Sequence, residues 1–459
     1  MHTQCNGKAI RTGRIGSREV VVDFDGGRIS SDAGALLLQG IDQALKLTER
    51  VAACFQDGRD AGLIEHSVQT LVMQRIVGIA LGYEDLNDHD QLRRDPVMAA
   101  LAGKLQARRK RCEPLAGKST LNRLEHVPAP EQANRYHKIA HEAGAFEALF
   151  VDCFIEAHAQ PPQQIVLDLD ATDDPLHGNQ EGRFFHGYYG SYCYLPLYIF
   201  CGRHLLVAKL RRANTDAAAG SVEEIERLVG HIRRHWPKSR IVLRADSGFA
   251  RDALMSWCEA HRVDYLFGLA KNDRLKAQIA TEMVAARQAC AASGQPERRF
   301  GDFCYRTGDS WSRERRVVGK AEHLPGKSNP RFIVTSLPAD AWPAQALYEQ
   351  FYCARGEMEN RIKECQLDLF ADRTSTATMR ANPLRLWFAS LAYVMLESLR
   401  RIGLHGTALA NATCASLRLK LLKIGAQVRT SVRRIHIAMA SNHPHQHEWR
   451  LAQARLHPG

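Results

Sequence analysis

The middle third of the chain places the strongest restriction on its fold, because strand-like and helix-like segments follow one another there in a fixed order. An alternating, apolar run at 164–170 predicts a buried strand. The segments after it predict strands at 188–200 and 204–211, a helix at 221–235, a strand at 241–246, a helix at 251–261 and a strand at 265–269. Three strands, a helix, a strand, a helix and a strand indicate an α/β protein.

This order of elements is that of the ribonuclease-H-like fold, in which a mixed sheet flanked by helices carries acidic residues at the ends of its strands. We therefore predict a catalytic domain at 161–400, preceded by a mainly helical region at 1–160 and followed by a helical region at 401–459. Short strands are expected at 300–336, and helices from there to about residue 440. The last fifteen or so residues, rich in His and Pro, are expected to be loosely ordered.

The net charge of the chain narrows the class of partner. It is +12 over 459 residues, from 62 Lys and Arg against 50 Asp and Glu. Such a balance favours a polyanionic partner, with nucleic acid ahead of a membrane surface. The candidates for DNA contact are four basic residues in a row, Arg108, Arg109, Lys110 and Arg111. A solvated run of charge is the competing interpretation of this basic cluster, and both stay open.

The sequence shows no sign of export or membrane insertion. Its first twenty residues are polar and basic and lack the apolar segment of a secretory signal. The longest apolar stretch, near 386–396, is too short to span a bilayer and predicts a buried helix. The twelve cysteines include no CxxC pair and no Cys/His spacing suited to zinc, so we expect reduced thiols in a cytoplasmic protein.

Acidic residues occur at two predicted strand ends. Asp168 and Asp170 are two apart on the strand at 164–170 and so share one face, with Asp170 nearer the strand end. Asp246 ends the strand that follows the first helix, and Gly248 allows an abrupt turn after it. Phosphodiester chemistry with two divalent metals needs carboxylates held about one coordination sphere apart, and magnesium prefers oxygen ligands.

A third acid, Glu359, lies in a segment with helical spacing. At 100° per residue, Glu359 and four other residues fall within about 80° of one another and form one stripe along the helix. The four others are Tyr352, Arg355, Lys363 and Gln366. Glu357 is predicted to point to the far side of the helix. A carboxylate between a tyrosine and two cations on one stripe suits a site beside phosphates.

Each acid also has an ordinary structural explanation. A strand-end acid followed by Ser-Gly, such as Asp246, is often a turn former or a helix cap. The acidic run at 168–174 could be a calcium-like or purely structural turn, and Glu359 with Lys363 could be a common i,i+4 helix pair. The functional interpretation depends on all three acids occurring in the right order within this strand pattern.

The helix motif resembles that of the DDE transposases of bacterial insertion sequences, in the branch with a Tyr-Arg-Glu-Lys signature and a DDE domain of the group 1 type. Tyr352, Arg355 and Glu359 match the spacing of the signature. Its lysine follows the glutamate by seven residues, where this chain has Gln366, so Lys363 is the candidate to replace it. The resemblance implies that Tyr352, Arg355 and Lys363 bind phosphates near the cut.

The strand-end motifs resemble the same family, and the resemblance covers roughly residues 20–400. Asp170 lies in an Asp-x-Thr motif and Asp246 in an Ala-Asp-x-Gly-aromatic motif. The resemblance implies that Asp170, Asp246 and Glu359 hold two Mg²⁺ ions, for which Mn²⁺ can substitute. Asp168 would orient these ligands from behind, with a purely structural role as the competing interpretation. The implied activity is metal-dependent cleavage at transposon ends and strand transfer into target DNA.

The resemblance also implies a β-rich insertion at about 271–345, which in relatives helps to hold the transposon end during a hairpin step. Trp311 or Trp342 is a candidate there for stacking on an unpaired base, against a core or surface position for each. The implied partners are double-stranded DNA, both terminal inverted repeats and target, and a second copy of the chain. A nuclease without strand transfer and an inactive DNA-binding relative stay open as alternatives.

Overall fold

The computed structural model describes residues 9–110, 112–126 and 138–457. The chain divides into two compact units. The first unit consists of Met1–His141, Asp368–Phe370 and Leu391–Gly459, and the second of Glu142–Leu367 and Ala371–Ser390. This division differs from the three successive regions expected from the sequence, because the C-terminal residues belong to the same unit as the N-terminal ones.

The N-terminal part of the first unit is mainly helical. Its elements are β1 (Ile10–Ile15), β2 (Arg18–Val22), β3 (Ile29–Ser30), α1 (Leu36–Leu45), α2 (Leu47–Ala53), β4 (Phe55–Asp57), α3 (Val68–Ala80), α4 (His89–Leu92), α5 (Pro96–Leu101), α6 (Lys118–Glu125) and β5 (Ile139–His141). α3 follows Ser67, whose hydroxyl caps the helix by accepting a hydrogen bond from the Thr70 amide at 3.2 Å.

The second unit is built around a mixed sheet that has nine strands in the described part of the chain. Its first elements are α7 (Ala143–Glu156), β6 (Gln164–Ala171), β7 (Asp174–Pro175), β8 (Phe184–His186), β9 (Ser191–Tyr194), β10 (Leu197–Cys201), β11 (His204–Lys209), α8 (Ser221–His235), β12 (Arg240–Ala245), α9 (Asp252–Ala260) and β13 (Asp264–Leu269). The sheet order begins β11-β10-β6-β12-β13. β6, β12 and β13 are parallel, and β10 is antiparallel to both of its neighbours.

The strand predicted at 188–200 is two strands, and this is the main difference in this region. Pro196 separates β9 from β10 because proline has no amide hydrogen to donate and rarely continues a ladder. Only β10 joins the large sheet. β9 instead lies between β7 and β8 in a small antiparallel sheet.

The segment expected to be a β-rich insertion begins with two helices and then extends the large sheet. Its elements are α10 (Asp273–Gln278), α11 (Ala280–Ser293), β14 (Glu297–Tyr305), β15 (Arg315–Leu324), β16 (Lys327–Ser328) and β17 (Arg331–Thr335). β17 pairs antiparallel with β13, followed by β15 and β14. This pairing covers the edge that β13 would otherwise expose.

Side chains of the central strands alternate between two cores. One face of the sheet packs against α7, α8 and α9 through residues that include Leu167 and Leu243. The other face packs against a helical segment at 344–368 through residues that include Val242 and Leu266. Because successive strand residues point to opposite faces, the even-numbered residues of β6, β12 and β13 all face this helical segment.

That helical segment is irregular. α12 (Ala344–Ala346) continues through a π-helical turn at Leu347–Tyr352 and a 3-10 turn at Cys353–Arg355 into α13 (Gly356–Lys363), and a second π-helical turn follows at Glu364–Asp368. The next helix, α14 (Asn382–Ser398), contains the apolar stretch predicted to be buried. No helix within the described ranges is long and apolar enough to cross a membrane.

The C-terminal part of the first unit differs most from expectation. Its elements are α15 (Cys414–Leu417), β18 (Ala426–Thr430), β19 (Ile435–Met439) and α16 (Gln446–Leu456). The expected helix up to about 440 is wrong here, because Ala426, Val428 and Ile437 alternate along two strands and pack on Ala33. The expected loose tail is also wrong, since α16 buries Leu456 and Ala452.

Candidate active site

Asp170 and Asp246 lie level with each other on neighbouring parallel strands. In the ladder between β6 and β12, Leu169 is opposite Ala245, so the next residues along both strands are adjacent. Both aspartates belong to the even-numbered set and face the helical segment at 344–368. Neighbouring strands are about 4.8 Å apart, a spacing at which two carboxylates reach the same cation.

Asp246 is a cap as well as a strand-end acid. It precedes a 3-10 turn at Ser247–Phe249, and its carboxylate accepts a hydrogen bond from the Gly248 amide at 2.8 Å. The structural explanation of this residue is therefore confirmed. Because this bond fixes the orientation of the carboxylate at the edge of the sheet, the cap does not compete with a role in binding.

Asp170 lies in surroundings that disfavour its negative charge. The pKa of its carboxyl is raised to about 6, chiefly by burial; Arg355 opposes this rise, and the charges of Asp246 and Glu359 add to it. The three acids selected from the sequence are therefore close enough to interact electrostatically. A partly buried carboxylate with two acidic neighbours is typical of a site that receives a cation.

Glu359 reaches this group from α13 and is paired with Arg355. The Arg355 Nη2 lies 2.8 Å from the Glu359 Oε1. Burial alone would lower the pKa of Arg355, but the neighbouring carboxylates, Asp170 first, raise it overall. The guanidinium of Arg355 thus lies among all three acids.

Tyr352 occupies space that Gly268 leaves free, a contact that the sequence analysis missed. Gly268 is on β13 in the even-numbered set, and a methyl group there would lie 2.5 Å from the Tyr352 hydroxyl and 3.2 Å from the carbonyl carbon of Asp246. Burial raises the pKa of Tyr352, Arg355 lowers it, and Asp246 raises it further. The signal in the sequence was a glycine inside a predicted strand, which often marks a close approach.

Asp168 is neutralised by Arg244, a second residue that the sequence analysis missed. The Arg244 Nε and Nη2 donate to the two carboxylate oxygens of Asp168 at 2.6 and 2.8 Å, and both side chains are buried. The third donor, Nη1, bonds to the backbone oxygen of Phe351 at 2.6 Å. One guanidinium therefore ties β6, β12 and the helical segment together directly behind Asp170 and Asp246.

The comparison with known proteins decides the family. A family model described as "Transposase DDE domain group 1" matches residues 12–458. The chain belongs to this transposase family. No curated protein matches it in sequence. Among solved structures it is similar to a cryo-EM structure of a piggyBac transposase synaptic complex with hairpin DNA, at 11% identity and a TM-score of 0.42, with 86% of this chain and 80% of that chain covered.

Three further residues of the transposase that the sequence analysis discussed lie on the same helical segment. Gln366, where the resemblance would place a lysine, donates to the backbone oxygen of Asp173 at 2.8 Å. Lys363 is exposed and makes no ion pair with any described residue. Glu357, predicted to point away, is near enough to raise the pKa of Asp168, although burial raises it more and Arg244 lowers it. The 3-10 turn before α13 changes the angular positions that a regular α-helix would give.

The basic cluster of the transposase belongs to the first unit, on the loop between α5 and α6, and the carboxylates belong to the second. Arg108, Arg109 and Lys110 are exposed. The Arg108 amide donates to the Glu65 carboxylate, and the Arg109 guanidinium donates to a backbone oxygen at 3.2 Å. Arg111 lies outside the described residues.

The two tryptophans of the predicted insertion differ in how far they are buried. Trp311 is buried in the core of the sheet, where the Arg315 guanidinium lies 5.6 Å from its ring centroid. Trp342 stacks on Phe351 at 4.9 Å between ring centroids. The packing role is therefore confirmed for Trp311, whereas base stacking by the half-buried Trp342 stays a prediction.

DDE transposases generally use divalent metal ions. Among the described residues, no three His, Cys, Asp or Glu side chains lie close enough together to hold one. The donor chemistry nevertheless fits, because Asp170 and Asp246 are adjacent oxygen donors and a cation would relieve the unfavourable charge of Asp170. Arg355 engages only the Oε1 of Glu359, so the Oε2 is the oxygen that Glu359 would offer to a cation.

Proposed function

We propose that this transposase belongs to a bacterial insertion sequence, acts in the cytoplasm, cleaves DNA at the transposon ends and transfers the freed 3′ ends into target DNA. The observation that carries the proposal is the adjacency of Asp170 and Asp246 at the ends of two parallel strands, beneath the helix with Glu359. The strand order β11-β10-β6-β12-β13, with β10 antiparallel, supports a ribonuclease-H-like core.

In this proposal Asp170, Asp246 and Glu359 hold two Mg²⁺ or Mn²⁺ ions. When bound, such ions would activate water or the 3′-OH and stabilise the leaving oxygen. Arg355 exchanges its ion pair with Glu359 for a phosphate oxygen, for which its planar fork is suited. Lys363 supplies a point charge to the backbone of the DNA.

Asp168 has a positioning role. Its ion pair with Arg244, and the bond from Arg244 to the Phe351 carbonyl, hold the two strands and the helical segment in register. A buried pair of this kind leaves an uncompensated charge when one partner is removed, so both residues act on the site through its geometry.

Two surfaces of the first unit are proposed to bind duplex DNA in addition to the basic cluster Arg108–Arg111. One is the hairpin of β18 and β19, whose exposed tip carries Arg429, Arg433 and Arg434. The other is the surface formed by the residues around this hairpin. The sequence there has no Asp or Glu between Glu397 and Glu448, so no carboxylate offsets its basic residues. Terminal repeats and target DNA are the partners, and two copies of the chain act together in the synaptic complex.

A non-catalytic DNA-binding relative is the second candidate. It is favoured by the ion pair between Glu359 and Arg355 and by the lack, among the described residues, of three side chains that enclose a metal. The two candidates differ in whether the protein cuts DNA, and therefore one assay separates them.

The deciding experiment is cleavage of a labelled duplex that carries the ends of the element, with Mg²⁺ or Mn²⁺. We expect wild type to cut at the ends, and Asp170→Ala and Asp246→Asn to bind the ends but not cut, because each removes a carboxylate without removing phosphate contacts. Asp273→Asn, a fully exposed acid on α10, is the matched control and should cut normally. Binding by wild type without cleavage in either metal would favour the non-catalytic relative.

A capture step completes the assay. Joining of the cut 3′ end to a target plasmid distinguishes a transposase from a nuclease without strand transfer. Loss of end binding in Asp246→Asn would instead show that this residue mainly supports the fold through its cap.

A further inference from the structure

Four exposed aromatic side chains lie on one short hairpin, formed by β8, β9 and the turn between them, which follows the first carboxylate strand in the chain. Six large hydrophobic side chains are exposed in the described part of the second unit, and four of them fall within residues 184–192. They are Phe184, Phe185, Tyr188 and Tyr192, with relative exposures of 48%, 50%, 86% and 47%. Phe184 and Phe185 are consecutive on β8 and point to opposite faces, so we call Phe185, Tyr192 and the turn residue Tyr188 the aromatic patch. Exposed rings are unfavourable in water unless a partner covers them.

The patch is held in place by the small sheet. Phe185 and Tyr192 are opposite each other in the pairing of β8 with β9, and their ring centroids are 5.5 Å apart. The Arg183 guanidinium lies 4.7 Å from the centroid of the Tyr192 ring. The turn between the strands is closed by the Gly190 amide, which donates to the His186 oxygen at 2.8 Å. The rings are therefore presented by paired backbone.

The patch is connected directly to the first carboxylate strand. The Tyr189 hydroxyl donates to the backbone oxygen of Ala171, the residue after Asp170, at 3.2 Å. Burial raises the pKa of Tyr189, and the charges of Asp173 and Asp170 raise it further, which shows how close it lies to the acids. The ring of Tyr188 packs edge-on against Tyr189 at 5.0 Å between centroids, so the most exposed ring is one residue from the site.

We propose that this aromatic patch binds unpaired bases of the DNA end next to the cut. Every base has a flat apolar face, and stacking on aromatic side chains binds single-stranded DNA with little regard to sequence. Paired bases already stack inside the duplex, so only bases released from pairing expose a face to these rings. Arg183 and the exposed Arg212 supply cations for the adjoining phosphates. The inference rests on the proposed function and adds the DNA structure that the site receives.

The test compares two end duplexes, one fully paired and one with two mismatched base pairs at the cleavage point. We expect Tyr188→Ala and Phe185→Ala to weaken binding of the mismatched end by roughly 5- to 100-fold per stacked base and to change binding of the paired end by less than about two-fold. Tyr188→Phe, which keeps the ring, should bind like wild type. Phe24→Ala removes a ring that is 95% exposed in the first unit and serves as the matched control.

Equal affinity of wild type and Tyr188→Ala for the mismatched end would overturn the proposal. A protein partner would then be the candidate to cover the aromatic patch. Cross-linking of wild type to 5-iodouracil at the mismatch gives a second measurement that needs no variant. Cross-links should map to 184–192, and cross-links elsewhere would also overturn it. If wild type neither cuts the transposon ends nor binds them more tightly than other DNA, the proposed function fails. The aromatic patch can still be tested in that case, by comparing the binding of a short dT oligonucleotide to wild type and to Tyr188→Ala.

Discussion

At the scale of single residues, Gly268 matters because of the space that it leaves. A methyl group on its Cα would lie 2.5 Å from the Tyr352 hydroxyl and 2.9 Å from the Ser247 backbone nitrogen. Backbone atoms cannot move aside as the end of a side chain can. A larger residue at 268 therefore displaces both Tyr352 and the strand end that carries Asp246.

We predict that Gly268→Ala lowers the rate of end cleavage by about 100-fold, because a displacement of about 1 Å at a reacting centre has an effect of that size. Overpacking should also lower the free energy of unfolding by about 1–3 kcal/mol. Single-turnover cleavage and denaturant unfolding measure the two effects.

Two further variants control this prediction. Gly230→Ala adds the same methyl group on α8, where no atom lies within 4 Å, and should leave cleavage unchanged. Tyr352→Phe in the Gly268→Ala background removes the nearest clashing atom and should restore part of the lost stability. Normal cleavage by Gly268→Ala would contradict the packing described here.

At the scale of elements, the hairpin of β18 and β19 combines an anchored base with a charged tip. Val428 and Ile437 are opposite each other on the side that packs on the core, and Arg429 and His436 are opposite each other on the exposed side. The tip is closed by the Ser431 amide, which donates to the Arg434 oxygen at 2.8 Å. Cations on such an arm meet phosphates without rearrangement of the fold.

We predict that Arg433→Ala with Arg434→Ala weakens DNA binding and reduces its dependence on salt. Each lost phosphate contact should lower the slope of log affinity against log salt by about 0.9, so the double variant should lose roughly two. Affinity for an end duplex, measured between low and physiological salt, gives this slope.

The matched control removes the same charge elsewhere. Arg234 and Lys238 are exposed near the end of α8. They precede β12, and Asp246 follows it, so they lie towards the other end of that strand. Their double alanine variant should keep the wild-type slope. If both double variants lose the same slope, the effect is general charge and the hairpin is not a specific contact.

At the scale of the whole molecule, the largest pKa shifts among buried carboxyl and imidazole groups have opposite directions in the two units. In the second unit, burial raises the pKa of Asp174 to about 8, against a bond from Thr374 that lowers it. In the first unit, burial and then Lys104 lower the pKa of His66 to about 4, and burial and then Arg75 lower the pKa of His89 well below 6.5.

These shifts predict opposite responses to pH. Folded Asp174 keeps a proton that the unfolded chain has released, so its contribution to stability is full below about pH 4 and is lost as pH rises through 8. Folded His66 and His89 exclude a proton that the unfolded chain binds below 6.5, so their contribution is lost as pH falls from 6.5 towards 4. Between pH 5 and 8 the second unit should therefore lose about 2–4 kcal/mol of local stability while the first does not.

Hydrogen exchange of the full chain, corrected for its intrinsic pH dependence, measures the stability of each unit separately. Asp174→Asn should remove most of the loss in the second unit at high pH, because the amide is neutral throughout, and Asp170, whose pKa is raised to about 6, accounts for the rest. Asp273→Asn should not, since Asp273 is fully exposed. The same direction of change in both units would show that other groups dominate the pH dependence.

Much of the second unit follows from local sequence. The strands at 164–170, 241–246 and 265–269 and the helices between them were predictable because apolar periodicity over a few residues fixes them. The positions of Asp170 and Asp246 follow from the same pattern. The break between β9 and β10 also has a local cause, because Pro196 has no amide hydrogen to donate to a ladder.

The sequence by itself determined the family, the order of the core strands and the acids at their ends, since short-range periodicity and motif spacing carry that information. Only the tertiary structure decided that Arg244 neutralises Asp168, that Tyr352 fills the space above Gly268, and that β17 continues the sheet beyond β13. It also decided that 426–439 is a hairpin packed on Ala33. These features depend on contacts between residues far apart in the chain, whose energies no local pattern contains.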